Sequence, residues 1–408
     1  MHNKSDFLIV GGGIVGLTIA RELKLRLPNS SVTVLEKEKK AGSHASSRNS
    51  GVLHSGIYYA PETLKAKICR QGSIEMGHYH EEHKLPLKRC GKVIVATNEF
   101  DAPQLELLWN RAQANGVIAQ KLDEKALKEA EPEARSSTGT GLYVSTTAVG
   151  SPKAMIETLT TEVQEMGISI HVSSEVVGTS NHGSKLLVRN GDGFEFGHLV
   201  NTAGLQADRI GRMFGVGMQV TMLPFKGLYW KLDPNSGLRI NHLIYPVPDL
   251  RVPFLGVHTT TSTDGTTYLG PTAVPAFGRE NYSGIRGIEP LELPRILALL
   301  AQQFYFGYDG FRRLAWQEGR RYFKAWFHEA AKAILPRLER KHLLRCDKTG
   351  IRPQLLDLKS HKLVNDFMVE EGKNSTHILN AISPAWTCAF PFARYICDNY
   401  ILKENQWK

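Results

Sequence analysis

The stretch from Asp6 to Glu36 reads DFLIVGGGIVGLTIARELKLRLPNSSVTVLE. DFLIV has the composition of a short buried strand, and Leu17 to Leu27 has helical periodicity that Pro28 ends. Ser31 to Glu36 (SVTVLE) is a second strand. Between the first strand and the helix, Gly11, Gly13 and Gly16 stand in GxGxxG spacing around Ile14 and Val15, and Glu36 follows twenty positions after Gly16. Glycines there allow a tight turn and close approach of the backbone to a pyrophosphate, whose charge the helix N-terminus favours. Glu36 would accept from ribose hydroxyls. The glycines alone would suit a tight turn in any α/β protein. Strand, helix, second strand and terminal acid together predict a dinucleotide site.

Working outward, the strand-helix alternation of a simple nicotinamide enzyme breaks off after Glu36. KEKKAGSHASSRNSGVLHSGIYY follows, then a helical stretch from about Pro61 to Glu82 and GKVIVAT at 91 to 97. The nucleotide-binding pattern resumes only with GISIHVSSEVVG (167 to 178), a candidate strand pair, and LLVRNGDGFEFG (186 to 197), a hairpin with an Asn-Gly turn. HLVNTAGLQADRIGRMFG (198 to 215) reads as a buried strand turning into a helix. Within the interruption, SSRNSGVLHSGIYY (46 to 59) is too apolar for an ordinary loop and too rich in glycine for a helix. Something polar is expected to pack closely against its backbone.

The chain has 408 residues, 42% of them hydrophobic and 22% charged, enough for a large core shared by two lobes. Its five cysteines, Cys69, Cys90, Cys346, Cys388 and Cys397, are odd in number and form no CxxC pair, so neither a disulfide framework nor a metal site is expected. The start lacks the apolar stretch of a signal peptide, and no run approaches bilayer length. A cytoplasmic protein is expected, at most peripheral on the cytoplasmic face of the inner membrane. The net charge of +10 comes from basic residues spread along the chain with no nucleic-acid motif, so an acidic small substrate or an anionic membrane is the expected partner and nucleic acid is not.

Four further segments are distinctive: RNSGVLHSGIYYAPETLKAKICRQG (48 to 72), LIYPVPDLRVPFLGVHTTTSTDGTTYLGPTAVPAFGRENY (243 to 282), GIRPQLLD (350 to 357) and HILNAISPAWTCAF (377 to 390). With the N-terminal fingerprint they resemble, in order and over nearly the whole chain, the L-2-hydroxyglutarate dehydrogenase/oxidase family. That family lies within the D-amino acid oxidase and glycerol-3-phosphate dehydrogenase superfamily of FAD enzymes. The resemblance implies an α/β fold: a Rossmann-like FAD-binding lobe with an interleaved antiparallel-sheet substrate lobe of α+β character. The expected FAD-binding parts are 1–90, 151–220 and 346–408, and the substrate parts 91–150 and 221–345. The β-rich runs YWKL, HLIYPV, PFLGVHTT and TTYLGPT, with an Asp264-Gly265 turn, suit such a sheet.

The activity implied is oxidation of L-2-hydroxyglutarate to 2-oxoglutarate, with hydride passing to flavin N5 and electrons onward to oxygen or a membrane quinone. Related flavin enzymes act on an amino acid or glycerol 3-phosphate, and a non-catalytic FAD-binding protein is the alternative outside enzymes. Cofactor contacts are expected from Gly11, Gly13, Ile14, Val15, Gly16, Glu36, Lys37, Ser46, Ser47, Arg48, Asn49, Ser50, Gly51, Val176, Thr202, Ala203 and Gly204. In the family, the loop at Ser383, Pro384 and Ala385 turns backbone amides toward the flavin's pyrimidine edge, where charge appears on reduction.

Alcohol oxidation benefits from a base titrating near neutrality, and His54 and then His258 are the two candidates, His54 being open also to a structural role inside the flavin lobe or to covalent flavin attachment. A dicarboxylate needs fixed cations. Arg352 is the preferred clamp because of its bidentate fork, with Arg279 and Lys226 as weaker choices. Tyr59 and Tyr245 are candidate hydroxyl donors, with core packing the alternative. The chain departs from the family pattern at Leu228, Trp386, Cys388, Phe390 and Phe392. A long helical region is expected from 290 to 345. There Arg320, Arg321 and Lys324 interleave with Trp316, Tyr322, Phe323, Trp326 and Phe327, as a cap on the substrate sheet or as a membrane-surface element.

Overall fold

A computed structural model describes residues 3–180, 183–250 and 254–403. The FLIV run lies inside the first strand, Lys4–Val10, which pairs in parallel with Val32–Leu35 on one side and Gly193–Asn201 on the other. Ser169–His171 extends the parallel array beyond Val32–Leu35, and Ser375–Asn380 extends it beyond Gly193–Asn201. FLIV and VTVL, the two strands at its centre, are buried throughout because the sheet is covered on both faces there. Phe7, Leu8 and Ile9 have no solvent exposure at all. Lys185–Val188, Val176–Ser180 and Met368–Gly372 complete eight strands, each joined antiparallel to its neighbour.

The helices Ile14–Arg26, Pro152–Glu165 and Ala389–Ile396 pack on this sheet through Leu17, Leu23, Met155, Leu159, Val163, Phe392 and Ile396. Met155, Ile156, Leu159 and Val163 recur at the three- and four-residue spacing of one helix face, and all are buried. Ser151 caps its helix by accepting from the Ala154 amide.

A second region carries a four-stranded sheet in the order Leu243–Pro246, Lys92–Val95, Gly141–Val144, Ala119–Leu122, and a five-stranded sheet built on Phe225–Leu232. The long strand Leu343–Arg352 pairs antiparallel with Phe225–Leu232, and the Asp264-Gly265 turn joins the hairpin of His258–Thr261 and Thr267–Gly270. The region is not purely antiparallel, as expected from its turns: Leu243–Pro246 runs parallel to Lys92–Val95. The two strands belong to distant parts of the chain, so a crossover replaces the hairpin that an antiparallel pair would use.

The helical stretch expected from 290 to 345 is three short helices, Leu293–Phe306, Phe311–Arg320 and Lys324–Lys332. Gly307 (φ +67°) and Gly310 (φ +78°) turn the chain left-handed between the first two, and Leu343 already belongs to a strand. The chain re-enters the eight-stranded sheet at 169–201 and 368–380, after the second region's segments.

Candidate active site

A cavity of about 620 Å³ opens where the parallel strands end at their carboxyl termini, bordered by Val10, Leu35, Thr202 and Leu379. That crevice is where open α/β sheets bind ligands. Local packing explains the fingerprint. A Cβ at Gly11 (φ +108°) would lie 2.5 Å from the Thr202 carbonyl oxygen, and one at Gly16 would lie 2.1 Å from the Gly11 carbonyl oxygen. The Thr202 hydroxyl closes this junction by donating to the carbonyls of Val10 (2.9 Å) and Gly11 (3.0 Å). The helix N-terminus therefore sits directly over the strand ends with no acidic residue in its first turn, an arrangement that favours a phosphate.

The SSRNSG segment is fastened to that terminus: the Ile14 amide donates to Ser46 Oγ at 2.9 Å. Asn49 folds the segment, donating to the Ser46 carbonyl and accepting from the Gly51 amide. Gly13, Ile14, Val15, Ser46, Asn49 and Ser50 all reach the cavity. Glu36 lines it too, its carboxylate accepting the amides of Gly12 (2.9 Å) and Glu38 (2.8 Å). Burial raises the Glu36 pKa, while those two amides oppose the shift. Its remaining lone pairs are available to ribose hydroxyls. Val176, Thr202, Ala203 and Gly204 complete the wall at this end. Glycine junction, helix terminus and buried acid fit a dinucleotide.

Lys37 and Arg48 also line this end but have protein partners. Lys37 bridges Glu38 and Glu280, and Arg48 donates to the Ser43 carbonyl with its guanidinium 4.4 Å from the Tyr282 ring centroid. His44 joins the cluster through Tyr282 (2.7 Å) and Glu38 (3.0 Å). Glu38, His44 and Glu280 are close enough to share a cation, and the Lys37 ammonium already takes that role.

The other end gathers His54, His258, Arg352, Tyr229 and the loop from Ala381 to Thr387. His54 is held by its backbone: its amide donates to Thr387 Oγ1 (3.2 Å), which donates to the Val52 carbonyl (3.2 Å). Its Nδ1 is buried without a partner. Burial, and then the nearby Lys92 charge, push the His54 pKa down to about 3. His258 reaches a similar value through burial, against the opposing pull of the Gly256 carbonyl. Its Nδ1 lies 2.9 Å from that carbonyl, so Nδ1 carries the proton and Nε2 the lone pair. Both rings are neutral at physiological pH. Arg352 has an unpaired Nη1 and lies 5.1 Å from the Phe254 ring centroid.

Several residues singled out in the sequence lie elsewhere. Gly16, Ser47 and Gly51 stand behind the cavity wall, and so do Tyr59 and Tyr245. Tyr59 is partly buried, its hydroxyl engaging Ser383, while Tyr245 packs on His258 at 3.9 Å between ring centroids. Arg279 does not reach the cavity. It is fully buried in an ion network with Asp208 and Glu292 that consumes its guanidinium. Lys226 is also buried away from it, donating to Asn281 Oδ1 at 2.9 Å. Leu228 is off the cavity as well, because strand alternation presents its neighbours Gly227 and Tyr229 instead. Of the C-terminal departures, Trp386 lines the cavity with an unpartnered indole N–H, whereas Cys388, Phe390 and Phe392 are core.

Sequence reasoning missed Tyr229 and Thr387, which line the cavity. Lys92, which opens the apolar run KVIV, lies off the cavity, fully buried with its strand.

The model of the family described as FAD dependent oxidoreductase matches residues 6–399. An L-2-hydroxyglutarate dehydrogenase of Escherichia coli is 32% identical over 400 residues, covering 96% of this chain and 92% of the relative. The mitochondrial L-2-hydroxyglutarate dehydrogenase of Homo sapiens is 35% identical over 421 residues, covering 96% and 88%. Among solved structures, L-alpha-glycerophosphate oxidase from Mycoplasma pneumoniae with FAD bound superposes with TM-score 0.73 at 24% identity, covering 96% of this chain and 93% of that one. Glycine oxidase from Geobacillus kaustophilus superposes with TM-score 0.71 at 18% identity, covering 97% and 94%. The structural likenesses establish the fold, and the family model and the curated relatives establish the lineage: the chain belongs to the FAD-dependent oxidoreductases, in the L-2-hydroxyglutarate dehydrogenase family.

Proposed function

We propose that the chain oxidises L-2-hydroxyglutarate to 2-oxoglutarate. The observation that carries this reading is the convergence of two neutral histidines and an unpaired arginine at one end of a cavity whose other end suits a dinucleotide. Gly11, Gly13, Ile14, Val15, Ser46 and Glu36 would hold the pyrophosphate and ribose of FAD, with Val176 and Thr202 to Gly204 beside them. When bound, FAD supplies the acceptor for the hydride equivalent leaving the substrate's C2.

Arg352 clamps one carboxylate, since its unpaired Nη1 offers a donor that nothing in the protein uses. His54 takes the hydroxyl proton. Its Nδ1 is buried without a protein partner, so Nε2 is the nitrogen left to meet the substrate, while His258 spends Nδ1 on Gly256 and orients the substrate through Nε2. An arriving dianion raises the pKa of both rings by opposing the surrounding cations, which strengthens the base when substrate is present. Trp386 and the loop at Ser383, Pro384 and Ala385 form the wall that keeps water from this end.

Anaerobic mixing of the yellow protein with L-2-hydroxyglutarate, D-2-hydroxyglutarate, glycerol 3-phosphate and several amino acids tests the reading. Only the L-hydroxyacid should bleach the flavin. Bleaching by another compound alone would move the substrate assignment, and bleaching by none, with FAD bound, would favour a non-catalytic protein.

For the electron acceptor, the three short helices favour a quinone reached at an anionic bilayer. Phe304, Tyr305, Phe306, Trp316, Tyr322, Phe323 and Trp326 are all exposed, with Arg312 and Arg313 beside them. The charges that the sequence emphasised are partly used internally: Arg321 pairs with Glu318, and Lys324 stands 5.2 Å from the Trp230 ring centroid. Replacing Phe306, Trp316 and Phe323 together with serine should abolish co-flotation with phosphatidylglycerol vesicles. Unchanged flotation, or no flotation of the parent protein, refutes membrane docking. In the central bilayer-spanning sense the chain is silent, since no described helix is long and apolar enough to cross a membrane.

A further inference from the structure

Lys92 opens the strand Lys92–Val95 and is wholly enclosed, yet its ammonium meets no hydrogen-bond acceptor. It stands 4.5 Å from the Tyr58 ring centroid and 5.1 Å from that of Tyr245. Those two rings are nearly parallel, at 9°, and the Tyr58 hydroxyl also lacks a partner. Tyr245 packs directly on His258. Only one layer of aromatic side chains therefore separates this ammonium from the catalytic end of the cavity.

The groups that face Lys92 electrostatically are the Cys69 and Cys90 thiols, the His54 and His258 rings, and the phenols of Tyr58 and Tyr245. No carboxylate pairs with it among the described residues. Burial lowers its pKa to about 7. Cation-π contact offsets part of the lost hydration, but an enclosed ammonium without a counter-ion is costly to maintain. Structural lysines seldom occur in this state, and perturbed cations near a cavity are commonly functional.

The other cations around the cavity are committed elsewhere. Lys37 is held by Glu280, Arg189 by Glu175 and Arg209 by Glu289, all at the cofactor end. Lys65 donates to the Asn365 carbonyl beside Asp366. Lys348 stands over the Tyr268 and Tyr229 rings, at 4.3 and 5.3 Å from their centroids. Arg352 and Lys92 are the two cations whose charge acts on both histidines, and a dicarboxylate presents two negative charges.

We propose that Lys92 is the specificity-determining cation for the second carboxylate of the substrate, acting through the His54 and His258 wall as the partner charge of Arg352. The inference rests on the dicarboxylate reading above. It predicts that the site prefers diacids to monoacids of the same length, and that binding a diacid draws a proton onto the protein near pH 7. The incoming charge raises the Lys92 pKa, so affinity falls as pH rises through the value of the free amine.

The test uses the FAD-loaded protein and its Lys92→Met and Lys92→Gln variants, with glutarate and butyrate as probes read by perturbation of the flavin spectrum, so turnover is not needed. Lys92→Met should weaken glutarate binding roughly 10- to 100-fold while leaving butyrate within a factor of about 2. It should also flatten the pH dependence of glutarate affinity between about pH 6 and 8. The same loss for both acids would assign Lys92 a packing role only and overturn the proposal. If neither variant folds, the parent protein still decides: glutarate affinity that does not change from pH 6 to 8 overturns it. A parent protein that binds glutarate in this pH-dependent way, yet is not reduced by L-2-hydroxyglutarate, would refute the assigned reaction and leave the diacid site standing.

Discussion

Replacing Arg279 with methionine should unfold the protein more readily without touching substrate affinity. The guanidinium has no solvent exposure and meets both oxygens of Asp208, both oxygens of Glu292 and the Leu205 carbonyl. Asp208 is fully buried and has Arg212 as its other cation at 3.3 Å, whereas Glu292 keeps Arg295 and Arg209 near the surface. The loss therefore falls mainly on Asp208, left as a buried charge with one long ion pair. Breaking a buried pair from one side costs about 3–5 kcal/mol. A chain of 408 residues has an unfolding entropy of about 0.9 kcal/mol per kelvin, so that loss lowers Tm by about 4–6 °C.

The sign of the pH effect follows from the carboxylates. Burial alone would raise the pKa values of Asp208 and Glu292, but hydrogen bonds and charge from Arg279 reverse this, bringing Glu292 to about 2. Depressed carboxylates stabilise above their unfolded pKa and lose that contribution as pH falls through the folded value. The parent protein should thus lose stability from about pH 4.5 down to 2, and Arg279→Met should be flatter over that window. Thermal melts from pH 3 to 7, with KM for the hydroxyacid measured on the folded fraction, check this. A variant with unchanged Tm and a raised KM would put Arg279 in the substrate site and refute the buried-network reading.

Two other predictions concern the cofactor and the histidines. Gly16→Ala should yield protein that loses FAD on gel filtration or fails to accumulate, because its methyl would lie 2.1 Å from the Gly11 carbonyl oxygen and 2.6 Å from Thr202 Oγ1; normal FAD content would contradict the close-approach argument. The pH profile of kcat/KM should show no acid limb at the ordinary histidine value near 6.5, since His54 and His258 in the free enzyme are both held near 3; a limb between pH 6 and 7 that vanishes in His54→Gln would show that His54 is hydrated rather than enclosed.

The cofactor end of the cavity was legible because its signals are local. A strand, three glycines, a helix and an acid lie within thirty-one residues, with Gly16 against Gly11 and Glu36 against Gly12, although Thr202 and Ser46, which complete the junction, come from farther along the chain. Where meaning depended on distant residues, the sequence misled or was silent. Arg279 sits in a loop-like AFGRENY stretch that resembles an exposed cation; only its meeting with Asp208 and Glu292 makes it structural. Tyr59 and Tyr245 carry hydroxyls that suit a donor role, yet strand and turn geometry places them one layer behind the wall. The parallel pairing of Leu243–Pro246 with Lys92–Val95 could not be read either, since turn residues report hairpins and say nothing of crossovers. In SSRNSGVLHSGIYY the serine-rich half lies on the helix terminus, and His54 reaches the far end of the same cavity.

The most direct test of the account is anaerobic single-turnover reduction of His54→Gln by L-2-hydroxyglutarate, with FAD content measured on the same sample. If His54 accepts the hydroxyl proton, flavin reduction should slow by about 10²- to 10⁴-fold while FAD stoichiometry stays at the parent level. Reduction at the parent rate, or loss of FAD that by itself accounts for the lost activity, would contradict it.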